Sequence, residues 1–250
     1  MIIRGLTKVR NEARIIKDTL DNWSSFCNGG IYVYDDCSED NTVAICRAHS
    51  AVKHVHEGKF WDPDREKAEW FNRQVILLIA QQDARPDDWF VYFDADEHIY
   101  NFTAYELFDS PHVKAIACRL YDIYITPEDV EKPYTKREWI GPEFRTIVFF
   151  FRNSPYIKYD QPDQRIVTLG DVGSIPIHGN IKHYGKGFSV QHWEETCQYY
   201  IKWWPKYSEK WRARVGKAVH TDYLSDFGNK LITWHDRNQG FSLENKPYGI

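Results

Sequence analysis

The hydrophobic positions in the first hundred residues alternate between two spacings. Short apolar runs rich in β-branched and aromatic residues predict four strands, at residues 1–9, 31–36, 52–57 and 88–97. Segments with apolar residues three or four positions apart predict three helices, at residues 12–26, 43–49 and 64–82. Asp64 stands at the N-cap position of the longest of these helices. Strands that alternate with helices predict an α/β fold with a mostly parallel central sheet flanked by helices.

The second half of the chain is less regular. Apolar runs at residues 113–125 and 144–153 predict two further strands. Residues 189–214 predict a helix that is rich in tryptophan and tyrosine. No repeat, low-complexity segment or Ser/Gly-rich linker is found. We therefore expect one compact α/β unit with a helical, aromatic-rich C-terminal extension.

Composition and charge exclude several classes of function. The formal net charge of −4 and the isoelectric point near 6.2 lack the basic excess typical of nucleic-acid-binding domains. Arg4 and Lys8 interrupt the N-terminal apolar run, so no signal peptide is predicted, and no apolar window reaches transmembrane length. The five cysteines form no Cys-x-x-Cys pair, which favours reduced thiols in a cytoplasmic protein.

Carboxylates directly follow two of the predicted strands. Asp35 and Asp36 end one strand, and Asp94, Asp96 and Glu97 end another. In an open parallel sheet, both strand ends face the same crevice. Several carboxylates in one cleft are unfavourable unless a cation or hydrogen-bond donors compensate them, and an all-oxygen site suits Mg²⁺ or Mn²⁺ bound together with substrate phosphates. The alternative is a pair of solvated acidic loops.

Two blocks of the sequence resemble the family 2 glycosyltransferases. Five residues of IYVYDDCSEDNT fit the family pattern DDxSxDxT, namely Asp35, Asp36, Ser38, Asp40 and Thr42. Cys37 stands where glycine is usual. In the second block, an arginine-bearing helix, an Asp-Trp pair and an apolar strand ending in DADE follow in the family's order. The resemblance spans about residues 5–100 and implies the GT-A fold, a nucleotide-sugar donor and Mn²⁺ or Mg²⁺ as cofactor.

The resemblance also implies roles for three aspartates. Asp36 contacts the nucleobase, Asp94 the ribose or a metal-bound water, and Asp96 the metal on the diphosphate. The chain then divides into three parts: a nucleotide-sugar-binding half at residues 1–100, an acceptor-side half of the same domain at residues 101–188, and the C-terminal extension at residues 189–250.

Further donor contacts are expected from the first half of the chain. Thr7 and Arg10 lie on the first strand and directly after it, and arginine is well shaped to bind phosphate. Arg73 lies in mid-helix, where a solvated face, an ion pair and a contact with the donor are all open. The donor is expected to be a UDP-, GDP- or dTDP-sugar.

The second half must supply a third metal ligand and the catalytic base. His183 lies in a segment that resembles the HYG found near the end of related domains, and it is the candidate ligand, with His178 as its rival. Inversion at the anomeric carbon needs a carboxylate to take the acceptor proton. Related enzymes carry this base in a His-Glu pair, which the chain lacks. Asp163 stands nearest to that position, with Asp160 and Glu143 as alternates.

We therefore expect an inverting, metal-dependent glycosyltransferase with a glycan or a lipid-linked glycan as acceptor. Residues 191–211 predict an amphipathic helix packed on the sheet. The alternative is a functional surface, either a platform for the acceptor or a peripheral membrane contact. Two other functions are open. One is a nucleotide-sugar-binding protein without transfer activity. The other is a DxD-type phosphohydrolase, although that motif normally continues with Gly-Thr and here continues with Glu97-His98.

Overall fold

The structure is a computed structural model and describes residues 1–161 and 165–243. The strands are β1 (Ile3–Val9), β2 (Ile31–Asp35), β3 (Val52–Glu57), β4 (Trp89–Tyr92), β5 (Glu97–Tyr100), β6 (Ala115–Asp122), β7 (Trp139–Ile140), β8 (Glu143–Arg152), β9 (Ile177–His183), β10 (Ile232–Thr233) and β11 (Phe241–Ser242). The α-helices are α1 (Ile16–Ser24), α2 (Thr42–Ala48), α3 (Arg65–Gln82), α4 (Glu106–Asp109), α5 (Val190–Trp203) and α6 (Ser208–Arg212). Short 3₁₀ helices span Tyr134–Lys136, Pro205–Tyr207 and Trp234–Gln239.

The chain folds into two compact units, each built from two separate stretches of sequence. The first unit comprises Met1–Cys118 and Ile147–Gly179. The second comprises Arg119–Thr146 and the chain from Asn180 onward. Strands β6, β8 and β9 each contribute residues to both units.

A mostly parallel sheet forms the first unit. Its strand order is β3-β2-β1-β4-β8-β6-β9-β5. β1 pairs in parallel with β2 on one side and with β4 on the other, and β2 pairs in parallel with β3. β8 runs antiparallel to β4. Because α1, α2 and α3 alternate with the first four strands, the predicted α/β fold is confirmed.

Aromatic rings fill much of the core of this unit. Trp23 and Trp89 are fully buried. Trp23 stacks on Phe93 with ring centroids 4.7 Å apart, and Trp89 meets Phe108 edge-on at 5.0 Å. Each large ring removes about 150–250 Å² from water, so a few of them stabilise a large part of the core. The high aromatic content therefore reflects packing in this unit.

The longest helix agrees with its prediction at both ends. α3 begins at Arg65, directly after Asp64, whose carboxylate accepts from the Lys67 amide at 3.2 Å. This contact satisfies one of the amide groups left without a partner at a helix start. Among the described residues, no helix combines the length and the apolar character needed to cross a membrane.

The strand predicted at residues 88–97 is divided in the structure. β4 ends at Tyr92, and the chain turns so that the Glu97 amide donates to the Asp94 carbonyl at 3.1 Å. Glu97 then begins β5, where its side chain is buried. Asp94 and Asp96 lie in the turn and are half-buried. A continuous strand would have forced unpaired carboxylates into the sheet, which is unfavourable.

The second unit combines short strands with two helices. β10 pairs antiparallel with β7, and β11 pairs in parallel with β8. The aromatic run that predicted one helix forms α5 and α6, with a break at Pro205, whose nitrogen cannot donate a helical hydrogen bond. Trp193 of α5 is buried, and Trp211 of α6 stacks on Tyr200 at 4.3 Å. These aromatic residues hold the two helices together.

Candidate functional site

Buried ion pairs hold the carboxyl end of β2. Asp36 is 2% exposed; its carboxylate pairs with Arg65 at the start of α3 and lies 3.8 Å from Lys8 Nζ. Lys8 also donates to Glu69 at 2.6 Å. Asp36 therefore lies at the end of β2 with two cations beside it, and its contact with a nucleobase stays a prediction.

The loop after β2 explains why glycine is usual at the position of Cys37. Cys37 has a φ of +60°, in the left-handed region, which costs a residue with a side chain about 1–2 kcal/mol. Arg10 donates to the carbonyl oxygens of Asp36 and Cys37 at 2.6 and 2.8 Å, and its guanidinium lies 5.0 Å from the ring of Trp61. Arg10 thus shapes this loop, and its contact with donor phosphate stays a prediction.

Two arginines converge on the turn after β4. Arg165 Nε lies 3.3 Å from the Asp94 carboxylate, and Arg165 Nη2 donates to Glu97 at 2.6 Å. Arg73 Nη2 lies 4.0 Å from Asp94, and its Nε donates to the Tyr92 hydroxyl at 3.0 Å. Both guanidinium groups are buried. Arg73 is therefore buried and forms ion pairs, with Glu69 at 2.9 Å and with Asp94, and its contact with the donor stays a prediction.

Sequence reasoning missed Arg165. It lies 68 residues from Glu97, and no periodic pattern or motif spacing connects the two positions. Its guanidinium also lies 4.8 Å from the ring of Tyr92 and 5.2 Å from the ring of Phe149. These contacts fix one face of the arginine against the core while its donors face the carboxylates.

The acidic residues near the strand ends provide a donor set that fits a divalent cation. Burial, together with the carboxylates of Asp96 and Asp94 and against the opposing effect of Lys8, raises the pKa of Glu12 to about 8. The part of this shift that comes from Asp96 and Asp94 reflects negative charge that a bound cation would relieve. Within residues 1–161 and 165–243, however, no three His, Cys, Asp or Glu side chains are grouped closely enough to hold a metal on their own. Mg²⁺ and Mn²⁺ commonly use one or two carboxylates plus substrate phosphates, so the residues fit this mode of binding.

The predicted histidines have different surroundings. His178 Nε2, in the first unit, accepts from the Thr103 and Ala104 amides at 3.2 Å each, so this nitrogen already has backbone partners. His183, in the second unit, has its Nδ1 2.6 Å from the carboxylate of Asp122. A carboxylate on one ring nitrogen commonly orients a histidine that binds metal through the other. The metal role of His183 stays a prediction.

The candidate bases are distributed over the chain. Asp163 lies outside the described residues. Asp160, in the first unit, is 2.6 Å from Lys158, whose hydrogen bond lowers the pKa of this carboxyl. Glu143, in the second unit, is buried, and burial raises its pKa. Thr7, predicted on the donor side, is fully buried in β1, and its Oγ1 has no hydrogen-bond partner in the part of the chain that is described.

The first unit thus has the mostly parallel sheet with flanking helices expected of a GT-A-like fold. No family model matches the chain. Two uncharacterised proteins, Mb3815c of Mycobacterium bovis and Rv3786c of Mycobacterium tuberculosis, are each 33% identical to it over 99 residues. That stretch is 38% of this chain and 23% of each relative, so less than a quarter of the length of these relatives is matched.

Several solved structures are similar to the chain at low sequence identity. S. aureus TarS is 16% identical, with a TM-score of 0.43 over 79% of this chain and 65% of that chain. TarS in complex with UDP is 14% identical, with a TM-score of 0.42 over 86% and 71% of the two chains. Glucosyl-3-phosphoglycerate synthase from Mycobacterium tuberculosis, in complex with Mn²⁺ and UDP-glucose, is 16% identical, with a TM-score of 0.33 over 48% and 43%.

Proposed function

We propose that the protein is a glycosyltransferase that moves a sugar from a nucleotide-sugar donor to a hydroxyl group of a glycan or lipid-linked glycan. The proposal includes dependence on Mn²⁺ or Mg²⁺ and inversion at the anomeric carbon. UDP is the first nucleotide to test, because the similar TarS and glucosyl-3-phosphoglycerate synthase were solved with UDP or UDP-glucose.

The observation that carries this proposal is the set of neighbouring strand ends β2, β1 and β4. β1 lies between the other two strands and runs parallel to both, so β2 and β4 are about 10 Å apart across the sheet and their carboxyl ends point to the same edge. Asp36 lies at one end, and Asp94 and Asp96 lie at the other. Ligands of open parallel sheets bind at this edge.

Different residues of the chain would carry out different parts of the reaction. Arg73 and Arg165 orient the Asp94 carboxylate, Asp94 would contact the ribose or a metal-bound water, and Asp96 would hold the cation. When bound, the cation supplies positive charge for the leaving diphosphate. A carboxylate, for which Asp163 is the candidate, takes the proton of the acceptor hydroxyl. The acceptor oxygen bonds to the anomeric carbon as the bond from that carbon to the diphosphate oxygen breaks.

The thermal midpoint of unfolding, measured with UDP, GDP and dTDP and their sugar conjugates, tests donor binding. Each nucleotide is added with and without Mn²⁺. A ligand at about 100 times its dissociation constant stabilises the folded state by about 2.7 kcal/mol, which is about 5–10 °C for a chain of this length. We expect such a shift for one nucleotide, dependent on Mn²⁺ and absent in Asp96→Asn. Asp87→Asn is the matched control, because Asp87 is 90% exposed and lies before β4.

Transfer itself is tested by release of nucleoside diphosphate from the stabilising sugar nucleotide in the presence of glycan acceptors. Asp163→Asn should abolish release while the thermal shift persists. Binding without any release would reject transfer in favour of a nucleotide-sugar-binding protein. If no nucleotide shifts the thermal midpoint of the folded wild type, the proposal of a donor site is wrong.

A further inference from the structure

One face of α3 carries a series of alternating charges that is largely hidden from solvent. Arg65, Glu69 and Arg73 are four residues apart, so they are neighbours on the same face of the helix. Glu69 Oε1 lies 3.3 Å from Arg65 Nη2, and Glu69 Oε2 lies 2.9 Å from Arg73 Nη2. The three side chains are 1%, 12% and 8% exposed. Glu69 therefore joins the two arginines, with one carboxylate oxygen directed to each.

Each of these arginines also contacts a carboxylate at the end of a strand. Arg65 pairs with Asp36, which follows β2. Arg73 Nη2 lies 4.0 Å from Asp94 Oδ1, and Asp94 follows β4 in the acidic turn. Because β1 lies between β2 and β4, Glu69 connects two acidic strand ends that belong to separate strands of the sheet. The connected series runs through Asp36, Arg65, Glu69, Arg73 and Asp94.

The strand between them contributes a third cation to Glu69. Lys8 is the penultimate residue of β1, and its Nζ lies 2.6 Å from Glu69 and 3.8 Å from Asp36. Lys8 and Arg65 are therefore shared between Glu69 and Asp36, while Arg73 is shared between Glu69 and Asp94. If Glu69 lost its charge, these cations would repel one another and move towards the remaining carboxylates. The positions of both aspartates therefore depend on Glu69.

The chemistry of arginine makes this dependence directional. A guanidinium group has its donors at fixed angles in one plane, so a carboxylate on one side of it constrains where a carboxylate on the other side can lie. Arg65 transmits the position of Glu69 to Asp36, and Arg73 transmits it to Asp94. Both aspartates lie at the edge of the sheet where ligands of open parallel sheets bind. A helix side chain thereby controls two carboxylates at the ligand edge.

We propose that Glu69 is a positioning residue of the donor site, which acts through Arg65 and Arg73 to hold Asp36 and Asp94 in the orientations that bind a nucleotide. The inference rests on the proposed function, because it takes the nucleotide-sugar donor as the ligand of this edge. Both acidic ends of the site then depend on one charge on α3. Loss of that charge should weaken recognition of the nucleotide even in a protein that is fully folded.

Calorimetric titration with UDP, GDP and dTDP, each with Mn²⁺, tests the inference. For the nucleotide that binds the wild type, Glu69→Gln should raise the dissociation constant at least about tenfold, the loss for one misaligned charge-assisted hydrogen bond. Asp88→Asn is the matched control, because it breaks another buried ion pair, with Arg4 at 2.6 Å. That pair lies at the amino ends of β1 and β4, at the opposite edge of the sheet. Asp88→Asn should therefore lower stability and leave the dissociation constant unchanged.

All proteins are titrated well below their thermal midpoints, so that only folded molecules are compared. If Glu69→Gln does not fold, Glu69→Asp replaces it, because its side chain keeps the charge but is one methylene too short to reach both arginines. Equal affinities of the wild type and the Glu69 variant would overturn the inference and leave the donor site in place. Equal weakening in Asp88→Asn would also overturn it, because the effect would then be a general loosening of the sheet. If no nucleotide binds the folded wild type, the proposed function fails, and the inference fails with it.

Discussion

At the scale of single residues, Arg165 is a buried arginine of the first unit that contacts two carboxylates. It neutralises Glu97, which is 2% exposed, and it contacts the half-buried Asp94. Removing one partner of a buried pair leaves an uncompensated charge, which costs far more than the pair contributes. The acidic turn after β4 therefore depends on a residue supplied by a distant part of the chain.

Arg165→Met should lower the free energy of unfolding by about 3 kcal/mol, because Glu97 would lose its charged partner in the interior. The measurement is urea denaturation at neutral pH. Adding Glu97→Gln to this variant should restore part of the loss, since the buried charge is then gone. Arg85→Met is the control, because Arg85 is an exposed arginine in the same unit. Equal losses in Arg165→Met and Arg85→Met would contradict the role given to Arg165.

At the scale of elements, α3 is fixed at its start by Asp64. Asp64→Ala should reduce the free energy of unfolding by about 1 kcal/mol, because the Lys67 amide would lose its acceptor. Lys67→Ala keeps that amide and removes only an exposed side chain, so it should leave stability nearly unchanged. Both variants can be compared by their denaturation midpoints. A midpoint for Asp64→Ala that matches the wild type would show that the cap contributes nothing.

The same helix is joined to β1 by an ion pair. Burial would raise the pKa of Glu69, but Lys8 and Arg73 outweigh it and bring the value down to about 2, below the ordinary 4.5. A depressed pKa means that the carboxylate stabilises the fold above pH 4.5 and that this stabilisation is lost as the pH falls towards 2. The full effect is about 3 kcal/mol.

Glu69→Gln should therefore be less stable than the wild type at neutral pH, and the difference should shrink as the pH is lowered from about 5 to about 2. Urea denaturation at a series of pH values measures it. Glu66→Gln changes an acid in the first turn of the same helix and serves as the reference for effects of general acidification. A difference that does not vary with pH would mean that the ionised form of Glu69 has no special role.

At the scale of the whole molecule, the helices and strands whose sequence signals all lie within one short segment were predicted well. The strand predicted at residues 52–57 is β3, and the helix predicted at residues 64–82 is α3 to within one residue. In both cases the apolar spacing and the boundary residues lie in the same short segment. The turn that divides β4 from β5 was missed, because the aromatic run continues to Phe93 and the turn is set by one hydrogen bond.

For the candidate site, the sequence indicated some of the residues that the structure brings together and not others. Asp36, Asp94 and Asp96 could be named as candidates because acids after apolar strands are visible in the sequence. Apart from Arg73, their cationic partners Lys8, Arg65 and Arg165 could not be, since arginine and lysine side chains are long and reach carboxylates from distant elements. Lys8 and Glu69 are 61 residues apart, and Arg165 and Glu97 are 68 apart. Such pairs depend on the folded chain and leave no local pattern.

The discontinuous build of the two units has a consequence for the history and engineering of this protein. Each unit uses two stretches of chain, and β6, β8 and β9 contribute to both. No single cut in the gene therefore separates one unit from the other. Neither unit can be gained, lost or exchanged as one continuous segment of sequence. Variation between relatives should instead accumulate as substitutions and loop insertions within a chain that is inherited as a whole.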